Sequence, residues 1–510
     1  MEISKKLIIH PFLFGIFPII ALYESSMNFI PVLEIVLPIC ITLGIVIPLF
    51  FILKKIQNSQ KSALMISFSL ILFFIYAPIF SVLDNVTITG FDLGRHYYLL
   101  IPFIGFFSIG ISFLIKTKKN LKNLTNFANI ISLIIIVVLL ANITVFSLEN
   151  NRSVNINNVE FDFKNNEIKS LPDIYFIILD GYPGNESLKT VNNYDNQEFL
   201  NNLKNHGFSI HEKSYANYAH TYLSLPSILN MKYLHSLVDE HGSKNDQLFL
   251  HAIGSNNEVM TFAKSIGYET ISLDSGWGFT SDMKTADLKL CNNNKIFGSE
   301  FLVSWIKNSM LSIIYVNIFG TGQLEQRLCI LEELPTIKKY TDEPKFVFAH
   351  LFMPHPPYFF GPNGEIRSLE NIDPNLETKD NLNKDAFMDQ LEFLNKKVIE
   401  IVEQLLDTEK QPIIIIISDH GTAFLLDDDP KNWITPTDEM IKERMDTITF
   451  IFLPDKVENI FLEIKTPVNI FRILFNHYFE TNYEILEERM YFANDQSYDF
   501  LNVTELLNKP

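Results

Sequence analysis

The sequence contains little cysteine, and its basic residues do not balance its acidic ones. Three cysteines in 510 residues are too few for a disulfide-rich scaffold, and no Cys-x-x-Cys pair indicates a zinc knuckle. Lys and Arg number 41 against 59 Asp and Glu, a formal net charge of −18. Because nucleic-acid binding needs a basic face, we expect no nucleic-acid partner. A Gly-x-Ser-x-Gly elbow is also absent, which disfavours a Ser-His-Asp esterase.

Long apolar runs are concentrated in the first 150 residues. Five of them are each about long enough to cross a ~30 Å hydrocarbon core as a helix, at residues 7–23, 29–53, 62–83, 97–115 and 127–148. They lack the alternation of β-strands, and a backbone in lipid must form helices or a closed barrel. The first run is short, so a cleaved signal peptide is the alternative there, although no small-x-small cleavage site follows it.

The lysines around these runs predict their orientation in the membrane. Lysines precede the first, third and fifth runs, whereas the two remaining connections contain Arg95 as their one basic residue. The positive-inside rule therefore places the N-terminus in the cytoplasm. An odd number of spans then places everything after residue 148 outside, which predicts a multi-pass protein of the cell membrane with an extracytoplasmic domain.

The rest of the chain predicts one large α/β domain. Residues 149–171 are rich in Asn and acids and are interpreted as a linker, which leaves 172–510 as the domain. Short, apolar, β-branched runs typical of buried parallel strands occur at 173–180, 269–274, 345–352, 412–419 and 447–453. Residues 387–405 have the apolar spacing of an amphipathic helix, and 467–478 resemble another. The expected fold class is therefore five transmembrane helices followed by an α/β domain with a central, mostly parallel sheet.

Polar residues follow several of the predicted strands. Ligands of open α/β sheets bind beyond the carboxyl ends of the strands, where this sequence has Asp180-Gly181, Asp274, His350, His355 and Asp419-His420. One Asp-Gly pair alone is more typical of a turn, but the combination favours a metal site. Carboxylates with an imidazole suit Zn²⁺ or Mn²⁺, whereas Ca²⁺ prefers more oxygen ligands.

A segment dense in hydroxyl groups, residues 214–234, lies between the first two predicted strands. Its polar residues have a plain structural explanation, since Thr221 or Ser224 can cap the start of a helix. A family resemblance offers a second explanation for the same hydroxyls.

Four motifs together resemble those of the alkaline phosphatase/sulfatase superfamily: Leu-Asp-Gly at 179–181, Thr-x-x-Ser-x-Pro at 221–226, His-x-Pro-Tyr at 355–358 and Ser-Asp-His-Gly at 418–421. With five apolar runs before them, they look like the membrane branch, the lipoteichoic acid synthases and lipid A phosphoethanolamine transferases. The resemblance implies an alkaline phosphatase-like fold and one divalent metal ion held by Asp180, Thr221, Asp419 and His420. It also implies that Thr221 is the nucleophile and that His355 supports the phosphoryl group or protonates the leaving oxygen.

The sequence departs from the family patterns at several positions. A sulfatase needs a Cys or Ser in Cys/Ser-x-Pro-x-Arg, and here Ser224 begins that pattern but Ile228 replaces the arginine, so sulfatase activity is not favoured. Without a histidine between His420 and His477, a single metal is expected. The transferases have another histidine soon after Ser-Asp-His-Gly, and its absence leaves the donor headgroup open. They also contain several disulfides, and Cys291 and Cys329 could form one in an oxidising exterior.

The expected function is transfer of a phosphoryl-linked headgroup, of the phosphoethanolamine or phosphoglycerol type, from a membrane lipid donor through a phospho-threonine. The acceptor would be a hydroxyl of a glycan or lipid. With water as the acceptor, the protein would be a hydrolase of phosphodiesters, phosphomonoesters or sulfate esters. A non-catalytic membrane sensor or scaffold is the third alternative, which the competent side chains at all four ligand positions disfavour.

Overall fold

In the computed structural model the chain forms two compact units. One comprises Met1–Asn151 with Lys295–Phe319, and the other Arg152–Asn294 with Gly320–Pro510. The structure describes residues 7–83, 87–88, 91–92, 95–149, 171–235, 247–292, 300–367, 383–426, 429–455, 460–461, 464–494 and 498–509. The predicted linker therefore lies almost entirely outside the described residues.

The described helices, in chain order, are α1 (His10–Ser26), α2 (Val36–Ile56), α3 (Ser59–Leu83), α4 (His96–Lys116), α5 (Lys122–Glu149), α6 (Asn185–Thr190), α7 (Gln197–Asn205), α8 (Thr221–Leu229), α9 (Gln247–Ser255), α10 (Glu258–Ser265), α11 (Glu300–Lys307), α12 (Ser312–Glu333), α13 (Lys384–Leu406), α14 (Pro430–Ile434), α15 (Asp438–Met445), α16 (Ile470–Phe479) and α17 (Thr504–Leu507). The described strands are β1 (Thr87–Ile88), β2 (Phe91–Asp92), β3 (Ile174–Leu179), β4 (Ser209–Ile210), β5 (Ser214–Tyr215), β6 (Glu269–Leu273), β7 (Leu288–Leu290), β8 (Lys345–Leu351), β9 (Ile413–Ile417), β10 (Asp446–Thr447), β11 (Thr449–Phe452), β12 (Tyr491–Phe492) and β13 (Leu501–Asn502).

Each of the five apolar runs forms a helix, but the helices differ in their capacity to span a membrane. Among the described residues, four segments are long and apolar enough to do so: Val32–Ile56, Ser59–Leu83, His96–Lys116 and Lys122–Leu148. The remaining helix, α1, has 17 residues. A helix rises 1.5 Å per residue, so α1 is shorter than a ~30 Å hydrocarbon core. Four membrane-spanning candidates therefore stand against the five spans predicted.

Helix α11 belongs to the unit of apolar helices rather than to the α/β unit. Phe301 and Trp305 of α11 are buried in a cluster with Ile19 and Tyr23 of α1. The predicted 172–510 domain includes this segment, because residues 173–510 as a whole were interpreted as one α/β domain. In the structure the apolar side chains of α11 pack against other apolar helices.

The second unit is built on a seven-stranded sheet in the order β4-β11-β9-β3-β8-β6-β7. Strands β9, β3, β8, β6 and β7 run parallel to one another, whereas β11 is antiparallel to both β9 and β4. The expected α/β class with a mostly parallel sheet is confirmed. The last predicted strand differs, since it divides into β10, which pairs with β5, and the antiparallel β11.

Both faces of the central strand β3 are buried, as its continuous apolar run predicts. Tyr175, Ile177 and Leu179 face one cluster, which contains side chains of α7 and α13. Ile174, Phe176 and Ile178 face the other, which contains side chains of α8, α10 and α16. Since β3 lies between β8 and β9, the residues that follow these three parallel strands meet at one edge of the sheet.

A disulfide joins Cys291, directly after β7, to Cys329 in α12. The pairing that the sequence left open is therefore present. The remaining cysteine, Cys40 in α2, is free.

Candidate active site

Residues from two strand ends and one helix start meet at the carboxyl edge of the sheet. Asp180 follows β3, the pair Asp419-His420 follows β9, and Thr221 is the first residue of α8. One ligand atom from each of Asp180, Asp419 and His420 lies within 4.8 Å of the others. Thr221 Oγ1 lies 3.0 Å from His420 Nε2. The structure thus brings together the four residues predicted as metal ligands, whereas Asp274 is not in this group.

The turn after β3 contains a glycine with a positive φ angle. Gly181 has φ +69°, a left-handed conformation that side chains with a Cβ rarely adopt. A Cβ at this position would stand 3.7 Å from His420 Cε1. Gly181 also donates its N–H to Asp419 Oδ1 at 3.1 Å, which joins the turn after β3 to the turn after β9.

Each of the two buried carboxylates has one oxygen in contact with a neighbour and one oxygen without a partner. Asp180 Oδ2 lies 3.0 Å from His350 Nε2, and Asp419 Oδ1 accepts the Gly181 N–H. Among the described residues, Asp180 Oδ1 and Asp419 Oδ2 are buried with no hydrogen-bond partner. Buried polar atoms normally have a hydrogen-bond partner, so these two oxygens are sites where a hydrogen-bond donor or a cation is expected to bind.

The charges of this site favour a cation. Burial, together with the neighbouring Asp419 carboxylate, raises the pKa of Asp180 to about 8. Two ionised carboxylates side by side in a protein interior are unstable unless a positive charge is shared between them. A divalent cation would supply that charge.

His420 is oriented as a metal-ligating histidine. Its Nδ1 lies 3.0 Å from the Gly421 carbonyl, which accepts only, so Nδ1 carries the proton and Nε2 the lone pair. Such a bond to a backbone carbonyl is the usual support of a ligating imidazole. Burial holds the pKa of His420 well below its ordinary value, and the Arg444 guanidinium acts in the same direction. The ring is therefore neutral, and Nε2 points at Thr221 Oγ1 and the carboxylates.

Thr221 is the better placed of the two candidate hydroxyls of α8. It begins the helix, where the helix dipole favours negative charge, and its side chain reaches His420. Ser224 is completely buried, and its Oγ has no hydrogen-bond partner among the described residues. In the motif comparison Ser224 occupies the sulfatase nucleophile position, but the contact with the ligand group belongs to Thr221.

His355 lies beside the carboxylates, in the turn that follows β8. Its backbone N–H donates to the Asp180 carbonyl at 3.1 Å, and its Nδ1 donates to the Pro356 carbonyl at 2.8 Å. The neutral ring therefore has its lone pair on Nε2. Burial lowers the pKa of His355, and the Asp180 carboxylate opposes that effect.

Three further residues support this arrangement. His350 is fully buried and places Nδ1 3.1 Å from Thr280 Oγ1, so it links Asp180 to a neighbouring loop. Arg444 donates to the Ala219 and Gly421 carbonyls at 2.6 and 2.9 Å, and so ties the segment before Thr221 to the turn after His420. Arg327 has an electrostatic effect on both Asp180 and His355.

Neither arginine belongs to a motif, so the sequence alone did not indicate Arg327 or Arg444. The one available signal was indirect: Ile228 occupies the position of the sulfatase motif arginine.

The donor set fits a divalent metal. Two carboxylate oxygens without partners, a neutral imidazole nitrogen and a hydroxyl oxygen are four ligands of the kinds that Zn²⁺ and Mn²⁺ accept. The two carboxylate oxygens are buried and have no hydrogen-bond partner among the described residues. This site therefore differs from the exposed acidic clusters that are common on protein surfaces.

The model of the family described as Sulfatase matches residues 172–451, more than half of the chain. No curated protein matches the chain significantly.

Solved structures similar to the chain include the C-terminal periplasmic domain of EcEptC from Escherichia coli in complex with Zn. That match covers 68% of this chain and 99% of that one, at 12% identity and a TM-score of 0.45. The integral membrane lipooligosaccharide phosphoethanolamine transferase A (EptA) from Neisseria meningitidis covers 87% of both chains, at 11% identity and a TM-score of 0.36. BT1596, a 2-O GAG sulfatase, covers 65% of this chain and 79% of that one, at 11% identity and a TM-score of 0.37.

Proposed function

This chain belongs to the sulfatase family, and from that premise we propose that it is a membrane-anchored, metal-dependent enzyme that transfers a phosphoryl-linked headgroup through a phospho-threonine. One observation carries the proposal: Thr221 Oγ1 lies 3.0 Å from His420 Nε2, beside two buried carboxylate oxygens without partners among the described residues. The Thr221 hydroxyl therefore lies next to the carboxylates and the imidazole that would bind the metal. Such a hydroxyl is suited to nucleophilic attack.

The metal would be held by Asp180, Thr221, Asp419 and His420, and Zn²⁺ or Mn²⁺ suits these ligands. When bound, it would stabilise the alkoxide of Thr221 and polarise the phosphoryl oxygen. The protein supplies the remaining parts of the mechanism. Arg444 holds the segments before Thr221 and after His420 together, and the N-terminus of α8 favours developing negative charge.

The first half-reaction forms a phosphoester on the enzyme. Thr221 passes its proton through water to Nε2 of the neutral His355, a bond forms between Oγ1 and phosphorus, and the bond from phosphorus to the leaving alcohol breaks. His355 then gives this proton to the leaving oxygen, so that the lipid leaves as a neutral alcohol.

The second half-reaction reverses these proton transfers. His355 Nε2 takes a proton from the acceptor hydroxyl, the acceptor oxygen bonds to phosphorus, the bond to Oγ1 breaks, and His355 returns the proton through water to Thr221 Oγ1. Thr221 and His355 then return to their starting states. With two in-line displacements, the configuration at phosphorus is retained overall.

The apolar helices fit a lipid donor of the phosphoethanolamine or phosphoglycerol type, because an enzyme held in a membrane meets such lipids directly. We propose that α1, at the short end of the length range for a membrane-spanning helix, crosses the membrane together with the four longer segments, which gives five spans with a cytoplasmic N-terminus. The catalytic domain within 172–510 would then lie on the outer side, with a glycan or lipid as the acceptor. The lysines before the first, third and fifth apolar runs support this orientation.

The test is mass spectrometry of the full chain after incubation with total membrane lipid and metal. We expect an added phosphoethanolamine or phosphoglycerol mass on Thr221. Thr221→Ala should lose the adduct and at least about 10³-fold of turnover, since Thr221 has the one hydroxyl that contacts His420 Nε2 among the described residues. Ser224→Ala is the matched control on the same helix and should keep both.

The outcomes separate the alternatives. Full activity in Thr221→Ala, or an adduct on Ser224, would contradict the proposal. Steady release of product from a soluble chromogenic phosphodiester without any acceptor, lost in Thr221→Ala, would identify water as the acceptor and make the enzyme a hydrolase.

A further inference from the structure

Arg327 carries a positive charge in the protein interior. Its side chain is 2% exposed. Among the residues that the structure describes, no carboxylate forms an ion pair with it. Burying an unpaired charge is costly, and proteins normally place a counter-charge beside it. An arginine in this state indicates that an anion from outside the chain completes the site.

The guanidinium is held in one orientation. Nε donates to the Phe352 carbonyl at 2.8 Å, and Nη2 donates to the Pro356 carbonyl at 3.2 Å. The Phe352 and Phe359 rings lie 5.3 and 4.7 Å from its central carbon. Within the described part of the chain, Nη1 donates no hydrogen bond. The carbonyls and rings therefore fix the group but do not neutralise it.

The charge acts on the candidate active site. Arg327 lowers the pKa of both Asp180 and His355. Pro356, which accepts one of its hydrogen bonds, is the neighbour of His355 in the chain. Burial lowers the pKa of Arg327 itself to about 9, against the opposing effect of Asp180. The guanidinium therefore remains charged at neutral pH.

The segment that carries Arg327 is anchored to the carboxyl edge of the sheet on both sides of the residue. Gln326 donates its side-chain amide to the Asp274 carbonyl, which follows β6, and to the Cys291 carbonyl at 2.6 Å. Two residues beyond Arg327, Cys329 forms the disulfide with Cys291. A disulfide and an amide bridge thus set the position of one arginine at the edge where ligands bind.

We propose that Arg327 binds the anionic ester group of the substrate by donating hydrogen bonds to a non-bridging phosphoryl oxygen. The substrate class in this inference rests on the proposed function. A planar guanidinium matches the oxygens of a phosphoryl group better than an ammonium does. Its positive charge would neutralise the phosphoryl group under attack. The arginine of the sulfatase motif cannot do this here, because Ile228 occupies its position.

A purely structural role is the alternative, in which Arg327 only bridges two carbonyls. Arg472 is a matched example of that role. It donates to the Met231 and Glu484 carbonyls, both at 2.7 Å, and lies 5.8 Å from the Tyr483 ring. Its electrostatic partners are Glu258, Tyr483, Glu484 and Tyr233, none of which belongs to the candidate site.

The experiment measures binding of inorganic phosphate by calorimetry to the full chain in detergent, metal-replete, in a Thr221→Ala background that prevents turnover. Arg327→Gln keeps a donor for one carbonyl but removes the charge, and we expect affinity for phosphate to fall ~10- to 100-fold. Arg327→Lys should lose less, because it keeps the charge. Arg472→Gln should stay within about twofold of the parent protein.

A thermal melt of each variant separates binding from folding. Phosphate should raise the melting temperature of the parent and of Arg472→Gln but not of Arg327→Gln. Unchanged phosphate affinity in a folded Arg327→Gln protein would overturn the inference. The measurement needs no turnover, so it remains valid if Thr221→Ala shows that the proposed function is wrong. Turnover that survives in Arg327→Gln with unchanged KM would equally count against the inference.

Discussion

Thr221 Oγ1 and His420 Nε2 lie 3.0 Å apart although 199 residues separate them in the chain. One begins α8, and the other stands in the turn after β9. Strand β3 pairs with β9, and Gly181 in the turn after β3 donates its N–H to Asp419, the neighbour of the histidine in the chain. The candidate nucleophile and the candidate ligand are therefore positioned by the centre of the sheet.

Metal affinity should decrease as the pH falls. The pKa of Asp180 is raised to about 8, so in the metal-free protein this carboxyl is protonated below that pH, and a cation must displace the proton. The apparent dissociation constant should rise by up to about tenfold per pH unit below pH 8, measured by competition with a chelator. Asp455→Asn, a partly exposed acid outside the site, should keep the same slope. An affinity that is constant between pH 6 and 8 would contradict the paired-carboxylate site.

Replacement of His355 should slow the reaction most for substrates whose leaving oxygen must be protonated. His355→Ala removes the proposed acid, and turnover of a lipid donor should fall ~10²- to 10⁴-fold. The loss should be much smaller for a nitrophenyl phosphodiester, whose leaving oxygen needs no proton. Metal content should not change, because His355 is not a proposed ligand. Equal losses for both substrates would instead indicate a role in positioning the phosphoryl group. His206→Ala, a partly exposed histidine near Glu403, is the control.

Asp446 should make the protein less stable as the pH rises from about 4 to about 7. Burial raises the pKa of this carboxyl from 3.8 to about 7. The folded state therefore binds an additional proton between these values, and the free energy of unfolding falls as the pH rises through that window. Asp446→Asn keeps an acceptor for the Ser187 N–H and removes the titration.

The melting temperature of Asp446→Asn should exceed that of the parent by at least about 4 °C at pH 8, and the difference should shrink towards pH 4. Both proteins are compared with the same metal, so that the Asp180 effect cancels. Asp342→Asn, at an exposed position, should show no such trend. A difference that grows on acidification would disprove the assignment.

Loss of the disulfide should destabilise the α/β unit. Cys291 and Cys329 are separated by 38 positions, for which loop closure predicts a contribution of about 4 kcal/mol. The Cys291→Ser, Cys329→Ser variant should therefore have a lower melting temperature, and phosphate should bind it more weakly because Arg327 lies next to the bridge. Cys40→Ser, which changes the free cysteine of α2, should match the parent. An unchanged melting temperature in the double variant would show that the bridge does not constrain the unfolded chain.

The strands of the sheet were predictable because their apolar runs are long and continuous. Residues 412–419 could be interpreted as a buried strand, and β9 is buried throughout. The short β4 and β7 were not predictable, since two or three residues show no periodicity. Strand β11 satisfied the apolar pattern, but that pattern does not determine strand direction.

The residues of the candidate site also differ in how far the sequence predicts them. Asp180, Asp419 and His420 belong to short motifs at strand ends, so the sequence indicated them. Arg327 gave no local signal, because its role depends on a helix brought to the sheet edge by Cys329 and Gln326. Residues whose placement depends on distant contacts cannot be recognised from their neighbours in the chain.

Helix α11 has a consequence for how this protein can be divided. Its Phe301, Leu302 and Trp305 are covered by apolar helices of the first unit. The chain therefore passes between the two units three times, so proteolysis between α5 and β3 would leave them covalently joined. A fragment beginning at residue 172 would contain α11 without the helices that cover it. The apolar side chains of α11 would then be exposed, and an exposed apolar patch favours aggregation. Biochemistry on this protein is best done on the intact chain in detergent or lipid.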